Sequence, residues 1–203
     1  MAQKKIEPAE LHLSPFTKWS KEWALITAAD GERVNTMTAA WGGLGVVWSK
    51  NVATVYIHPD RYTHQFMEQT DKFSVTFFRG QREALNLLGT VSGRDRDKIA
   101  ESGLTVEWVD GVPAFKEAAL TITCKILYKE ELKRGNFLSK EIEEACWRKD
   151  DSPLHSMYIG EVIGIYVDEH HDTHTNHEIQ SGKPHSHRAF SADYIHRHYQ
   201  RIR

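Results

Sequence analysis

The chain has 203 residues, with 40% hydrophobic and 27% charged side chains and a formal net charge of −2. That length suits one sizeable core and is short for two, while the near-neutral charge gives no basis for binding nucleic acid or an anionic membrane. No apolar run approaches the roughly 20 residues of a membrane span, and Met1 to Leu13 lacks the apolar centre of a signal peptide.

The first apolar stretch, Trp23 to Ala29, leads through Ala29-Asp30-Gly31-Glu32, read as a turn, into a strand from Val34 to Ala40. Val52 to His58 is β-branched and aromatic, and His58-Pro59-Asp60 stops it because proline cannot donate to a ladder. Tyr62, Phe66 and Met67 at helical spacing predict a short helix, and Phe73 to Phe78 a further strand. Ala84, Leu85 and Leu88 predict a second helix with Gly89 as its C-cap. Asp95 to Ser102 predicts a third helix, ended by Gly103. Leu104, Val106 and Trp108 alternate with polar residues as a half-exposed strand does. Leu120 to Tyr128 repeats that pattern over a longer run, the clearest amphipathic strand in the chain. A charged segment follows, with an exposed helix around Lys140 to Trp147. Met157 to Val167 is apolar on both faces, and Gly160 and Gly164 within it predict bulges or close approach of another surface.

These elements make a β-rich domain over residues 1–168. The alternating strands favour an antiparallel barrel or sandwich, and strand–helix–strand over Val52 to Phe78 leaves a βαβ sheet as the alternative. Residues 169–203 are a different material: most of the chain's 12 histidines, few aliphatics and a basic ending. They read as a histidine-rich, non-core C-terminal extension. His170, His171, His174 and His177 have ligand-like spacings, but no carboxylate or thiol completes a defined metal site. Cys124 and Cys146 match no metal or redox spacing, and Cys124 falls in an apolar register as a buried thiol. Reduced thiols point to the cytoplasm.

Three segments carry candidate chemistry. Asn35-Thr36-Met37-Thr38-Ala39-Ala40-Trp41 runs from a strand of small and hydroxyl-bearing residues into a tryptophan and a glycine-rich loop, Gly42-Gly43-Leu44-Gly45. Such a surface suits a ligand that is anionic at one end and planar at the other, since glycine lets backbone approach closely. An ordinary strand ending in a flexible turn has the same letters. Arg61-Tyr62-Thr63, opening a helix, is a natural phosphate clamp; the plainer reading is a capping pair. Ser92-Gly93-Arg94-Asp95-Arg96-Asp97-Lys98 is either a second anion site or a solvated helix start. There is no Gly-x-Ser-x-Gly elbow, no phosphate loop with Gly-Lys-Ser/Thr, no His-Glu-x-x-His and no dinucleotide fingerprint. Glu161, in an apolar run, is expected to face solvent or pair with a base. A site without an acid–base set or nucleophile fits a cofactor that performs its own redox chemistry.

In order along the chain, Asn35 to Gly43, His58-Pro59-Asp60-Arg61-Tyr62-Thr63, Phe73-Ser74-Val75, Ser92-Gly93-Arg94-Asp95-x-Asp97-Lys98, Gly103-Leu104-Thr105 and Met157-Tyr158-Ile159-Gly160-Glu161-Val162 resemble the flavin reductase-like family of FMN-binding split barrels, flavoredoxin among them. The resemblance covers roughly Trp23 to Val167 and leaves the tail unmatched. It implies a six-stranded antiparallel split β-barrel with short peripheral helices, assembled as a homodimer with FMN near the subunit interface. Asn35, Met37, Thr38, Ala39, Ala40 and Trp41 would line the isoalloxazine and ribityl side. Arg61, Thr63, Ser92 and Lys98 would hold the phosphate and neighbouring polar atoms, and His155 would be a further contact, from the second subunit. The implied activity is hydride transfer from NAD(P)H to flavin, with electrons passed to a free flavin or a protein; an FMN-binding electron carrier or sensor is the alternative. Leu88-Gly89 stands where many relatives have Cys-Gly, which argues against a thiol step there.

Overall fold

Alternation of apolar and polar residues at period two dominates this chain, and the strands it encodes form one eight-stranded sheet and one separate two-stranded hairpin. The computed structural model describes residues 3–146 and 153–168, so the histidine-rich segment 169–203 and Trp147 lie outside the described residues. In chain order the elements are β1 (Gln3–Ile6), α1 (Pro15–Thr17) running into a π-helical turn (Lys18–Glu22), β2 (Ala24–Asp30), β3 (Arg33–Ala39), β4 (Gly42–Val47), β5 (Lys50–Ile57) and α2 (Tyr62–Met67). Then come β6 (Lys72–Phe77), α3 (Arg82–Thr90), α4 (Lys98–Ser102), the hairpin β7 (Val106–Val109) and β8 (Val112–Phe115), β9 (Leu120–Glu131), α5 (Lys140–Cys146) and β10 (Ser156–Asp168).

The main sheet has the order β3-β2-β6-β9-β10-β5-β4, and all its pairings are antiparallel. One edge of β10 follows β9, whereas the other is divided between β5, from Ser156 to Glu161, and β1, from Ile165 to Asp168. Counting β1, the sheet has eight strands, against the six that the resemblance implies. The mainly β, antiparallel class with short helices is the observed one. The βαβ alternative fails because β5 and β6, on either side of α2, are not neighbours in the sheet.

One face of the sheet encloses the larger core, including Ile26, Met37, Val55, Phe73, Ile122 and Tyr158. The opposite face of β2, β3, β6 and β9 is covered by α3, α4 and the β7–β8 hairpin through Leu25, Leu85, Leu88 and Phe115. Here the reading of β9 as half-solvated is corrected: Thr121 and Thr123, on its polar side, are fully buried. Hydroxyls can line a buried face when each finds a partner. Thr27 and Thr36 bond each other at 2.8 Å, Ser74 donates to the Pro113 carbonyl at 2.6 Å, and Thr123 donates to Asp110 Oδ2 at 2.8 Å. Asp110 stands in the tight turn Asp110-Gly111, both residues having positive φ, and its Oδ1 also accepts from Tyr166 at 2.8 Å. That turn pins the hairpin to β10.

Three local expectations are corrected. Gly42 to Gly45 is not a loop but part of β4, paired with β5 from Gly42↔Val55 to Val47↔Lys50. A side chain at Gly42 would collide with the Trp19 ring, so the glycine is there for packing. Gly89 lies inside α3, whose C-cap is Val91; a Cβ on Gly89 would come within 3.1 Å of Thr38 Cβ, so its absence lets α3 sit flush on β3. The third helix is confined to Lys98–Ser102, because Asp97 caps it by accepting from the Ala100 amide at 3.1 Å, and Gly103 ends it in the left-handed region. Glu161 pairs with Lys50 at 2.8 Å, as expected of it.

The bulges expected in β10 are present, with register shifts at Ile159/Gly160 and Val162/Gly164. A Cβ on Gly160 would meet Phe73 Cε1 at 2.6 Å and Cys124 Cβ at 2.9 Å, all within the core. Gly160→Ala is therefore expected to cost about 1–3 kcal/mol by overpacking. The check is a lower denaturant midpoint at unchanged slope; an unaltered midpoint would show that the ring moves aside freely.

Candidate functional site

The C-terminal turn of α3 organises the region. The last four carbonyls of a helix have no partner within it and carry its negative end. Val91 N satisfies Leu87, and two cations from elsewhere in the chain reach the next two carbonyls. Lys98 Nζ donates to Leu88 O at 2.8 Å, and Arg61 Nη1 donates to Gly89 O at 2.6 Å. Lys98 is only 4% exposed. Burial, reinforced by the neighbouring charge of Arg61, lowers its pKa from 10.5 to about 8. Two like charges drawn together in a poorly solvated place favour an anion between them. The geometry thus fits a phosphate-bearing ligand. Neither α2, of six residues, nor α4, of five, is long enough for its N-terminal dipole to carry the argument. The side chains do.

Within reach of the Arg61 charge lies an aromatic wall of inclined rings. Trp41, 37% exposed at the bend between β3 and β4, faces His155 with ring centroids 5.1 Å apart and planes at 44°. His155 in turn meets His58 at 5.1 Å, nearly edge-to-face. His155 is 7% exposed. Burial first, then the charges of His58 and Arg61, lower its pKa to about 3, so it is neutral at physiological pH. His58 Nδ1 accepts from the Asp60 amide at 3.2 Å, which fixes the start of the turn carrying Arg61. The charge of Arg61 lowers the pKa of both Lys98 and His155, so Arg61 is the cation common to the cradle and the aromatic pair.

The other candidate residues frame this region or point away from it. Asn35 Nδ2 donates to Thr63 Oγ1 at 2.8 Å, both side chains being buried, so this pair ties β3 to α2. Thr38 Oγ1 donates to Leu85 O at 2.6 Å and seats α3. Ser92 Oγ accepts from the Arg94 amide at 3.2 Å and shapes the turn before α4. Met37 and Ala39 belong to the larger core, whereas Ala40 packs against the smaller one. Strand alternation forces that division: side chains from Asn35 to Trp41 cannot all face one ligand. Sequence reasoning missed His58, whose only signal is the strand-ending His58-Pro59, and the backbone carbonyls of Leu88 and Gly89, which have none. Asp110-Gly111, a recognised hairpin dipeptide, was legible but unread.

Solved structures that share this fold include the following three. A Methanosarcina acetivorans flavoredoxin is 23% identical, with 73% of this chain and 69% of that one covered, at a TM-score of 0.57. A Shewanella frigidimarina protein with a split barrel domain is 19% identical over 73% and 68%, at 0.58. The Streptomyces globisporus NADH:FAD oxidoreductase, in complex with NAD and FAD fragments, is 17% identical over 72% and 74%, at 0.54. No curated sequence matches the chain. The family model described as "Flavin reductase like domain" matches residues 18–202, a span that includes most of the histidine-rich segment. With nearly the whole chain matched and the antiparallel split-barrel architecture in place, the protein belongs to the flavin reductase-like family.

Proposed function

We propose that the protein is a flavin oxidoreductase that binds FMN and uses NAD(P)H to reduce flavin. The observation that carries this reading is the convergence of Arg61 and buried Lys98 beside the Trp41–His155 wall. Arg61 and Lys98 hold the phosphate, exchanging or sharing the α3 carbonyls they now cap. Trp41 shields one edge of the ring system from water. His155, neutral, bounds the site without adding a charge. When bound, the isoalloxazine supplies the acceptor for a hydride from dihydronicotinamide and the donor to a free flavin or protein. The protein's part is pose and exclusion of water, and orientation alone is worth several kcal/mol of barrier. Cys124 supports a role without a thiol nucleophile, since it is fully buried and burial raises its pKa far above the ordinary thiol range.

The proposal extends to a homodimer in the cytoplasm. Support for the dimer comes from exposed aromatics: Trp48, 59% exposed in the β4–β5 turn, packs on Tyr128 of β9 with centroids 6.1 Å apart. Large exposed apolar groups of this kind mark association surfaces. Cys124 and Cys146 are both free, in keeping with a reducing compartment.

Anaerobic mixing of FMN-loaded protein with NADH or NADPH is expected to bleach the flavin's visible absorption within the turnover time of an ordinary oxidoreductase, about 0.1 s. Absence of bleaching with either nucleotide, in protein that retains FMN, would make it an electron carrier or sensor instead.

A further inference from the structure

We infer that Arg94 closes the outer end of the phosphate cradle and restricts the ligand to a flavin mononucleotide, excluding a flavin that continues through a pyrophosphate into a second nucleotide. The inference rests on the FMN reading above and adds a specificity-determining residue to it. Arg94 lies in the turn between α3 and α4, two residues after Ser92, and its side chain crosses to the segment that carries Arg61. Its Nη1 donates to the Asp60 carbonyl at 3.0 Å, and its guanidinium lies 4.8 Å from the Tyr62 ring centroid. The two segments proposed to hold the phosphate are therefore strapped together by a side chain that itself bonds no part of α3.

The strap is held from beneath. A Cβ on Gly93 would collide with Asn35 Oδ1 and come within 3.1 Å of Tyr62 Cδ1, so the turn lies directly on both side chains. Asn35 is fixed by Thr63, and the Arg94 amide is fixed by Ser92 Oγ at 3.2 Å. Exposure rises outward along this line, from buried Lys98 to exposed Arg94. A terminal phosphate needs only the inner end. With the phosphate held by Arg61 and Lys98, a pyrophosphate linked to adenosine would leave between the Arg61 and Ser92 segments, where Arg94 bonds Asp60 and lies over the Tyr62 ring. Admitting it requires both contacts to break, and that cost falls on the dinucleotide alone.

Apoprotein titrated with FMN and with FAD, following flavin fluorescence, tests this directly. The unaltered protein is expected to bind FMN at least about tenfold more tightly than FAD, equivalent to about 1.4 kcal/mol. Arg94→Ala is expected to shift the ratio of FMN to FAD affinity about tenfold toward FAD, because any loosening of the two strapped segments is common to both flavins and cancels in the ratio. Arg94→Lys, which keeps a cation but loses the planar stack, should shift the ratio in the same direction by less. Equal affinities in the unaltered protein, or an unmoved ratio in Arg94→Ala, would overturn the inference and leave FMN binding intact. If the unaltered protein bound neither flavin, the FMN reading itself would fall, and the strap with it.

Discussion

Arg61→Ala is expected to weaken FMN by about 10- to 100-fold while changing riboflavin by less than about threefold, because only FMN carries the phosphate. A hydrogen bond to a charged group is worth about 1.5–3 kcal/mol, and a guanidinium on a phosphate is among the stronger kinds. Arg61 also caps Gly89 O, so its loss leaves an α3 carbonyl in need of a partner. That structural cost is shared by both flavins and cancels in their ratio. Lys98→Met is the companion change, since methionine fills much of the volume of the buried lysine stem without its charge. It should reproduce the selective loss. Parallel titrations of the two flavins decide the matter: equal losses for both would remove the phosphate from this place and leave Arg61 and Lys98 as caps of α3.

A second expected result is a decline in FMN affinity as pH rises through about 8, approaching tenfold per pH unit. Lys98 is charged below its lowered pKa of about 8 and neutral above it. The phosphate, with its second pKa near 6, is a dianion throughout that window, so the ligand's own ionisation does not contribute. Above about 8, binding must recharge Lys98 and takes up a proton, which is the source of the slope. Riboflavin should show no such trend, and Lys98→Met should abolish it. The sign for the empty protein is opposite. Between about 8 and 10.5 the unfolded chain holds the lysine's proton more firmly than the folded one, so folding stability gains from this group as pH rises. Affinity that falls while stability rises over the same pH range is a signature of one buried amine. A flat FMN profile would mean that Lys98 does not face the anion.

What the amino-acid order determined by itself was local. The positions of β2, β3, β5, β6, β9 and β10 follow from alternation and β-branched runs, because side chains of a strand repeat every two residues regardless of partner. The ordered segments around Asn35, Arg61, Ser92 and Met157 were likewise legible, and with them the family. Where the periodic signal was absent, the reading failed. Gly42 to Gly45 has too few side chains to alternate, so β4 passed for a loop. The threonines of β9 looked solvated because polarity is local information, while the hairpin and α3 that bury them come from elsewhere in the chain. Tertiary structure alone decided that Lys98 and Arg61, from separate segments, reach adjacent carbonyls of α3, and that Arg94 returns to Asp60. The backbone atoms they contact are the same in every residue type. Only the folding of strands and helices against one another selects which carbonyl a cation meets.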